Sequence, residues 1–396
     1  MGTLPTWEEQ LAKLDGVVDR LMAEWRPGGG TEDEIQDMNK YALSTLASAY
    51  YCHAYTDASR PVFAPLWNYA SRQGGPNPDY VYSTAQVDPG GTYQITGYRG
   101  TSRFVEITQQ AADFSRATLD PPKGPPLRET KDLDEFTLRD DGSFRVILSA
   151  ERPESCDGDW WRLDPRAHRL LMRKCACDWK NETDARVAIS RLDESGHDMT
   201  AGEFAARFAD LAEWIEGRIL HEIRLVRYYR EHHGINVLTK SKWIQTVGGL
   251  SKQAYYDGVH EIADDEALIV EVPLPAECYY WQLLVADDRF ATVDWVNRQS
   301  SLNDAQAHVD ADGKFRAVVS RRDPHVWNWL DKAGYPSGII QMRLYKASEH
   351  PETTVTKVKV ADVARHLPPQ TRFVTPAERA AQLAARREAA QLRQIW

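Results

Sequence analysis

Residues 301–346, SLNDAQAHVDADGKFRAVVSRRDPHVWNWLDKAGYPSGIIQMRLYK, contain the pattern that decides the fold. Within this stretch, residues 312–320 (DGKFRAVVS) repeat residues 141–149 (DGSFRVILS) almost position for position. An Asp-Gly pair between two alternating runs is the strongest short signal for a β-hairpin. Each copy is followed by a tryptophan-rich turn, at residues 160–161 and 327–329. The sequence therefore predicts a β-unit that occurs twice in the chain.

Each copy also continues into a later strand that carries an arginine. These strands are predicted at residues 170–177 and 339–345, and they contain Arg173 and Arg343. An arginine on a strand near the core either pairs with a carboxylate or binds an anionic ligand. Pairing is the commoner outcome, and both interpretations stay open at this point.

Helical patterns precede, separate and follow the two β-units. Capping boxes, in which Thr is followed three residues later by Glu, mark helix starts at Thr31 and Thr200. A short helix is predicted at residues 181–192. The predicted fold class is α+β, mainly β, with two jelly-roll or β-sandwich units joined by a helical segment. The predicted parts are N-terminal helices at 1–58, a first sandwich at 59–180, a helical connector at 181–262, a second sandwich at 263–362 and a C-terminal helix at 363–396.

Composition narrows the classes of function. The formal net charge of −10 argues against a nucleic-acid partner, which requires a basic face. The sequence contains no run of eighteen apolar residues, so no membrane span is predicted. The N-terminal stretch has no signal-peptide pattern. The five cysteines form no CxxC pair, which is typical of a reducing compartment. A cytoplasmic location without membrane association is therefore expected.

Several motifs resemble a known bacterial family. Residues 77–82 (NPDYVY), 301–306 (SLNDAQ), 323–324 (DP) and 328–334 (NWLDKAG) look like proteins of the domain-of-unknown-function 1214 group. The first unit also resembles the partner domain 1254, in which an Asn-x-Asp-x-x-Tyr pattern precedes a strand. The resemblance, which covers about residues 74–380, implies jelly-roll sandwiches and an association with lipid, steroid or aromatic metabolism. It implies no activity, and so no catalytic residues can be carried over.

The second unit contains the densest set of polar side chains. Asp323, His308, Arg298 and Asp294 are the candidate catalytic residues, because a histidine near a carboxylate can act as a general base. In the alternative interpretation, the Asn and Asp side chains of this unit bond to backbone groups and tie turns. The candidate substrate-binding residues are Trp327, Trp329, Asn328, Asn303, Gln306, Trp281, Asn77 and Tyr82.

No cofactor or metal is expected. The predicted helix at residues 200–234 contains His221 and Glu222, but Leu225 stands where the second histidine of an HExxH zinc motif would fall. No Gly-rich phosphate loop and no GxSxG nucleophile elbow occurs in the sequence.

Three functions remain open from the sequence. The first is a cofactor-free acid–base enzyme for a hydrophobic or ring-bearing small molecule (terpenoid, steroid or aromatic). The others are a carbohydrate-binding or glycoside-cleaving jelly roll and a non-catalytic ligand-binding protein. An enclosed aromatic pocket would favour the first, an open groove floored by Trp the second, and filled sandwiches the third. The terminal helices are a possible homo-oligomer contact.

Overall fold

The structure is a computed structural model that describes residues 4–111, 127, 129–193, 198–241 and 249–395. The first β-unit is a sandwich of a five-stranded and a four-stranded sheet, in the orders β1-β2-β8-β4-β5 and β7-β6-β3-β9. Its strands are β1 (Ala64–Pro65), β2 (Tyr80–Gln86), β3 (Tyr93–Tyr98), β4 (Phe104–Gln110), β5 (Thr130–Asp132), β6 (Ser143–Ser149), β7 (Asp159–Arg162), β8 (Arg169–Cys175) and β9 (Arg186–Arg191).

The second β-unit repeats this topology strand for strand. Its sheets have the orders β10-β11-β17-β13-β14 and β16-β15-β12-β18. In both units the strand after the Asp-Gly turn pairs in parallel with the strand that contains the Trp-rich segment. The predicted fold class is confirmed. The strands are β10 (Thr239–Ser241), β11 (Gln253–Glu261), β12 (Glu266–Pro273), β13 (Cys278–Asp287), β14 (Ser301–Asn303), β15 (Lys314–Ser320), β16 (Trp329–Asp331), β17 (Ser337–Ala347) and β18 (Thr354–Lys359).

Helices lie at both ends of the chain and between the units. The N-cap threonines that precede α1, α3, α4 and α7 all form capping boxes, which satisfy backbone N–H groups at each helix start. No helix in the described part of the chain is long and apolar enough to cross a bilayer. The helices are α1 (Trp7–Leu11), α2 (Val17–Trp25), α3 (Glu32–Ala49), α4 (Ala201–Ala209), α5 (Leu211–His232), α6 (Val363–His366) and α7 (Pro376–Leu392).

The two five-stranded sheets face each other, and helices α2, α3 and α5 pack into the same central core. Alternation along β8 explains this arrangement, since Leu170 and Met172 fill the first sandwich while Leu171 and Cys175 face the centre. Aromatic rings join the units there, including Phe104 of β4, which stacks on Tyr345 of β17 with ring centroids 4.3 Å apart.

Three parts of the secondary-structure prediction were wrong. The Asp-Gly turns do not close hairpins between neighbouring strands, since β6 pairs with β3 and β7, and β15 pairs with β12 and β16. Residues 186–191, placed in a short helix, form β9, which pairs with β3 at the sheet edge. Val187 and Ile189 mark its alternation, but Ala185, Ala188, Ile189 and Leu192 recur at helical spacing and so favoured a helix. Strand β11, which lies in the stretch assigned to the helical connector, is buried on both faces and so shows no alternation. The sheets of the two units therefore extend to residue 191 and back to residue 239.

Candidate functional site

A cavity of about 100 Å³ lies between the two five-stranded sheets and helix α5. This volume is well above the ~15 Å³ that a single water molecule needs. Its wall combines aromatic rings with three arginines, one histidine and one glutamate. The lining residues are Trp67, Gly74, Gly75, Pro76, Tyr80, Tyr82, Arg173, Arg218, His221, Glu222, Leu225, Gly249, Tyr255, Phe290, Gln341 and Arg343.

The first unit contributes Arg173 from the central strand of its five-stranded sheet. In register, Tyr82 of β2 lies on one side of Arg173 and Glu106 of β4 on the other. The Arg173 Nη1 group donates to the Thr108 hydroxyl at 3.3 Å, and its charge acts on the Glu106 carboxyl. Burial nevertheless raises the pKa of Glu106, whose Oε1 accepts a hydrogen bond from the Tyr345 hydroxyl.

The second unit contributes Arg343 from the equivalent position. Tyr255 of β11 and Gln282 of β13 flank it in register, so glutamine stands where the first unit has glutamate. Arg343 donates through Nη1 to Gln282 Oε1 at 3.1 Å and through Nη2 to the Gly75 carbonyl at 2.8 Å. The two arginines that the sequence matched therefore meet at one cavity.

Helix α5 forms the third side of the cavity and supplies the ionisable groups there. Arg218 and Glu222 are four residues apart, so they share one face of the helix and form an ion pair at 2.6 Å. The Tyr41 hydroxyl of α3 donates to Glu222 Oε2. Burial raises the pKa of Glu222 to about 7, against the opposing effects of Arg218 and Tyr41. Glu222 can therefore hold or release a proton near neutral pH.

One wall of the cavity depends on Gly75. Its φ of +59° lies in the left-handed region, its N–H donates to the Phe290 carbonyl, and a Cβ atom there would lie 2.4 Å from the Phe290 ring. We expect Gly75→Ala to lower the free energy of unfolding by about 2 kcal/mol through backbone strain and overpacking, measured by urea denaturation.

Gly142 is the matched control for this substitution. It also has a positive φ, +75°, but a Cβ atom there meets nothing within 4 Å. Gly142→Ala should cost about 1 kcal/mol from backbone strain alone. Equal losses in the two variants would contradict close packing of Phe290 on Gly75.

Four of the predicted site residues form a local network in the second unit. The Asn328 amide accepts from His308 N at 2.8 Å and donates to His308 O at 2.6 Å, while Trp327 Nε1 donates to Gln306 O at 3.0 Å. Asn328 also donates to the Arg316 carbonyl. These contacts tie loops between strands, and none of the four residues lines the central cavity.

Three candidate charged residues, Asp323, Arg298 and Asp294, bond through their side chains to different partners. Asp323 pairs with Arg379 of helix α7 at 2.9 Å, and Arg298 pairs with Asp331 at 2.7 Å. Asp294 accepts from the Val296 and Asn297 backbone N–H groups and so closes a turn. Within the described residues, no hydrogen bond joins Asp323 to His308, so the structure does not bring the predicted acid–base pair together.

The two remaining candidate tryptophans are buried. Trp329 Nε1 donates to the Ser320 hydroxyl at 3.0 Å, and Trp281 packs on Phe315 inside the second sandwich, with ring centroids 4.6 Å apart. Their side chains contribute to the interior of the unit.

Three predicted site residues lie where the two β-units pack against each other: Asn77, Asn303 and Tyr82. Asp79, which is fully buried, accepts from Asn303 Nδ2, Tyr280 Oη and Trp179 Nε1 at 2.6–2.8 Å. Asn77 Nδ2 donates to the same Tyr280 hydroxyl, and Asn77 N donates to the Tyr82 hydroxyl. Of all the predicted site residues, Tyr82 is the one that also lines the cavity.

The prediction omitted Arg218, Tyr255 and Phe290, and it considered His221 and Glu222 only as metal ligands. A sequence signal for the helical residues exists. Arg218 and Glu222 fall on the apolar stripe of α5, among Ile215, Ile219 and Ile223, where charged side chains are unusual. A charged residue on a buried stripe must have a partner or a function.

Comparisons with known proteins give a family match for part of the chain and a likeness of fold. Residues 261–349 match the family described as "Protein of unknown function (DUF1214)", as the sequence resemblance predicted. A search of curated proteins found no match. An uncharacterised protein from Burkholderia cenocepacia is 24% identical, with a TM-score of 0.79, over 89% of this chain and 97% of that one. The VPA0106 protein from Vibrio parahaemolyticus is 12% identical, with a TM-score of 0.44, over 87% of this chain and 100% of that one.

Proposed function

We propose that this protein, whose residues 261–349 belong to the DUF1214 family, is a cofactor-free enzyme of acid–base type acting on a hydrophobic or ring-bearing small molecule. The observation that carries the proposal is Glu222, a buried carboxyl with a pKa of about 7 at the wall of the central cavity. A group with this pKa is suited to proton transfer in both directions at neutral pH.

In this proposal Glu222 exchanges a proton with the bound molecule. Arg218 holds the Glu222 carboxylate in place after the proton leaves, and the Tyr41 hydroxyl supports the other carboxylate oxygen. His221 precedes Glu222 on α5 and lines the same cavity, so it is positioned to orient a polar group of the substrate.

The aromatic wall supports a substrate with an apolar or ring-shaped body. Trp67, Tyr80, Tyr82, Tyr255 and Phe290 surround the cavity, and such rings bind flat apolar groups through their faces and edges. A second depression, on the first unit, is lined by residues such as Arg139, Arg145 and Asp157 and has no aromatic ring among its described lining residues. A third depression is lined by Trp67, Trp179 and Trp295, but its volume of about 20 Å³ is too small for a sugar ring, so the carbohydrate alternative is the weaker one.

A cytoplasmic location is part of the same proposal. All five cysteines are free thiols, and Cys52, Cys175 and Cys177 are buried. Free thiols persist most readily in a reducing compartment. An oligomer contact through the terminal helices stays a prediction; α7 already packs Ala389 and Ala390 on Trp179 and Trp295 of its own chain.

The proposal predicts conversion of a substrate that depends on Glu222. Purified protein is incubated with a mixture of cyclic terpenoids, steroids and aromatic acids, and the mixture is followed by mass spectrometry. We expect at least one compound to be converted to an isomer or to a product that differs by one water. Glu222→Gln should slow this conversion by about 100-fold or more, because it removes the proton-transferring group.

Glu216→Gln is the matched control on the same helix. Glu216 is paired with Arg20 and is not among the cavity residues, so its variant should convert the compound at the wild-type rate. The enzyme assignment fails if no compound is converted, or if Glu222→Gln is as fast as the wild type.

A further inference from the structure

The duplication exposes a difference in charge between two equivalent positions. Arg173 has Glu106 beside it in register, whereas Arg343 has Gln282. A glutamate can neutralise a neighbouring guanidinium, but a glutamine offers only a neutral carbonyl oxygen. The second unit therefore retains the arginine of the repeat without the carboxylate that accompanies it in the first unit.

Arg343 is held by neutral groups in the described part of the chain. Its side chain is 5% exposed, and its two hydrogen-bond acceptors are the Gln282 amide oxygen and the Gly75 carbonyl. Asp257 on the adjacent strand β11 is within range of its charge, but burial raises the pKa of Asp257 and so favours the neutral acid. Asp257 is also bonded to Gln341 at 2.6 Å.

A buried donor lies next to this arginine. The Nε2 group of Gln282 is buried and has no hydrogen-bond partner among the described residues. A buried N–H group without an acceptor costs free energy comparable to a lost hydrogen bond. The unused amide donor requires a hydrogen-bond acceptor, and the neighbouring guanidinium is matched best by an acceptor that carries negative charge.

The other two cavity arginines already have acidic neighbours. Arg218 pairs with Glu222, and Arg173 lies beside Glu106. Arg343 is therefore the cavity arginine whose in-register neighbour on β13 carries no carboxyl group, and a ligand carboxylate would supply the missing partner. The planar guanidinium fits the two oxygens of a carboxylate.

We propose that the ligand of the central cavity is a ring-bearing carboxylate, whose carboxylate group binds Arg343 while its ring lies among Tyr82, Tyr255 and Phe290. This names the substrate class of the cavity and rests on the proposed function for the choice of site. The test concerns binding alone, so the two proposals can fail separately.

The experiment measures affinity by calorimetry for three carboxylates and their neutral amides. The probes are benzoate, phenylacetate and cyclohexanecarboxylate, each compared with its amide, and phenyl phosphate is included as a second anion. We expect at least one carboxylate to bind the wild type at least tenfold more tightly than its amide. Phenyl phosphate, which carries more charge, should bind less tightly than that carboxylate.

Gln282→Glu is the decisive variant, because it gives the second unit the arrangement of the first. The new carboxylate should neutralise Arg343 and remove the tenfold preference, while circular dichroism and thermal unfolding show a folded protein. Glu106→Gln is the reciprocal control; it leaves Arg343 unchanged and should keep the preference. Arg343→Met should also remove the preference, but it is the secondary variant because it can disturb folding.

Any one of three results overturns the inference. These are equal affinity of the wild type for all three carboxylates and their amides, an unchanged preference in folded Gln282→Glu, or tighter binding of phenyl phosphate than of any carboxylate. Glu222→Gln separates this inference from the proposed function, since it should keep the carboxylate preference. If the carboxylate preference is present but Glu222→Gln does not affect turnover, the acid–base role fails and the anion site stands.

Discussion

Replacing Asp79 by alanine is expected to lower the free energy of unfolding by about 4 kcal/mol. The Asp79 carboxylate is fully buried and accepts hydrogen bonds from Trp179 of its own unit and from Tyr280 and Asn303 of the second unit. The alanine variant leaves all three donors buried without this acceptor. Urea denaturation followed by tryptophan fluorescence measures the loss.

Asp79→Asn is the matched control. Its amide keeps one oxygen in nearly the same place, and burial already raises the pKa of Asp79, so removal of the charge should itself be tolerated. We expect the asparagine variant to lose about 1 kcal/mol. An alanine variant that unfolds at the wild-type urea concentration would show that this network does not hold the two units together.

The same residues show how far the sequence can predict the site. The sequence predicts Asn77 and Asn303 as substrate-binding residues, and the interpretation in which such Asn and Asp side chains tie turns stays open beside it. A local pattern cannot show which distant residue each of these side chains bonds to in the folded chain. Asn303 Nδ2 reaches Asp79 across 224 positions of sequence, and the meeting depends on how the two units pack.

The repeat was predictable because its signals are local. An Asp-Gly turn and the alternating strand after it are read within ten residues, and they mark the same turn before β6 and β15 in the two units. Strand β11 was missed for the opposite reason, since burial on both faces removes the alternation that would identify it. The predicted secondary structure therefore failed where tertiary packing overrides local pattern.

The cavity was predictable only in part, unlike the repeat, which was predicted, and strand β11, which was missed. Arg173 and Arg343 were matched from the repeat, and anion binding was one of the two interpretations. Their meeting with Glu222 of α5 depends on three elements that come together only in the folded chain. The pKa of Glu222 follows from its burial, which no spacing of residues encodes.

Glu222 should also make stability depend on pH in the neutral range. Its pKa rises from 4.5 to about 7 on folding, so the folded state binds the proton more tightly than the unfolded state. The contribution is fully present below pH 4.5 and is lost as the pH rises from 4.5 through 7. The free energy of unfolding should fall by about 3 kcal/mol over this window.

The comparison that isolates this effect is the difference between wild type and Glu222→Gln, measured by urea denaturation at pH values from 4.5 to 8. Other buried carboxyls, including Glu106 and Asp257, also have raised pKa values, and their contributions are common to both proteins. The glutamine variant cannot ionise at position 222, so the wild type should lose about 3 kcal/mol relative to it across the range. Parallel pH curves for the two proteins would mean that Glu222 ionises at its ordinary pKa, and this would remove the physical basis for its role in proton transfer.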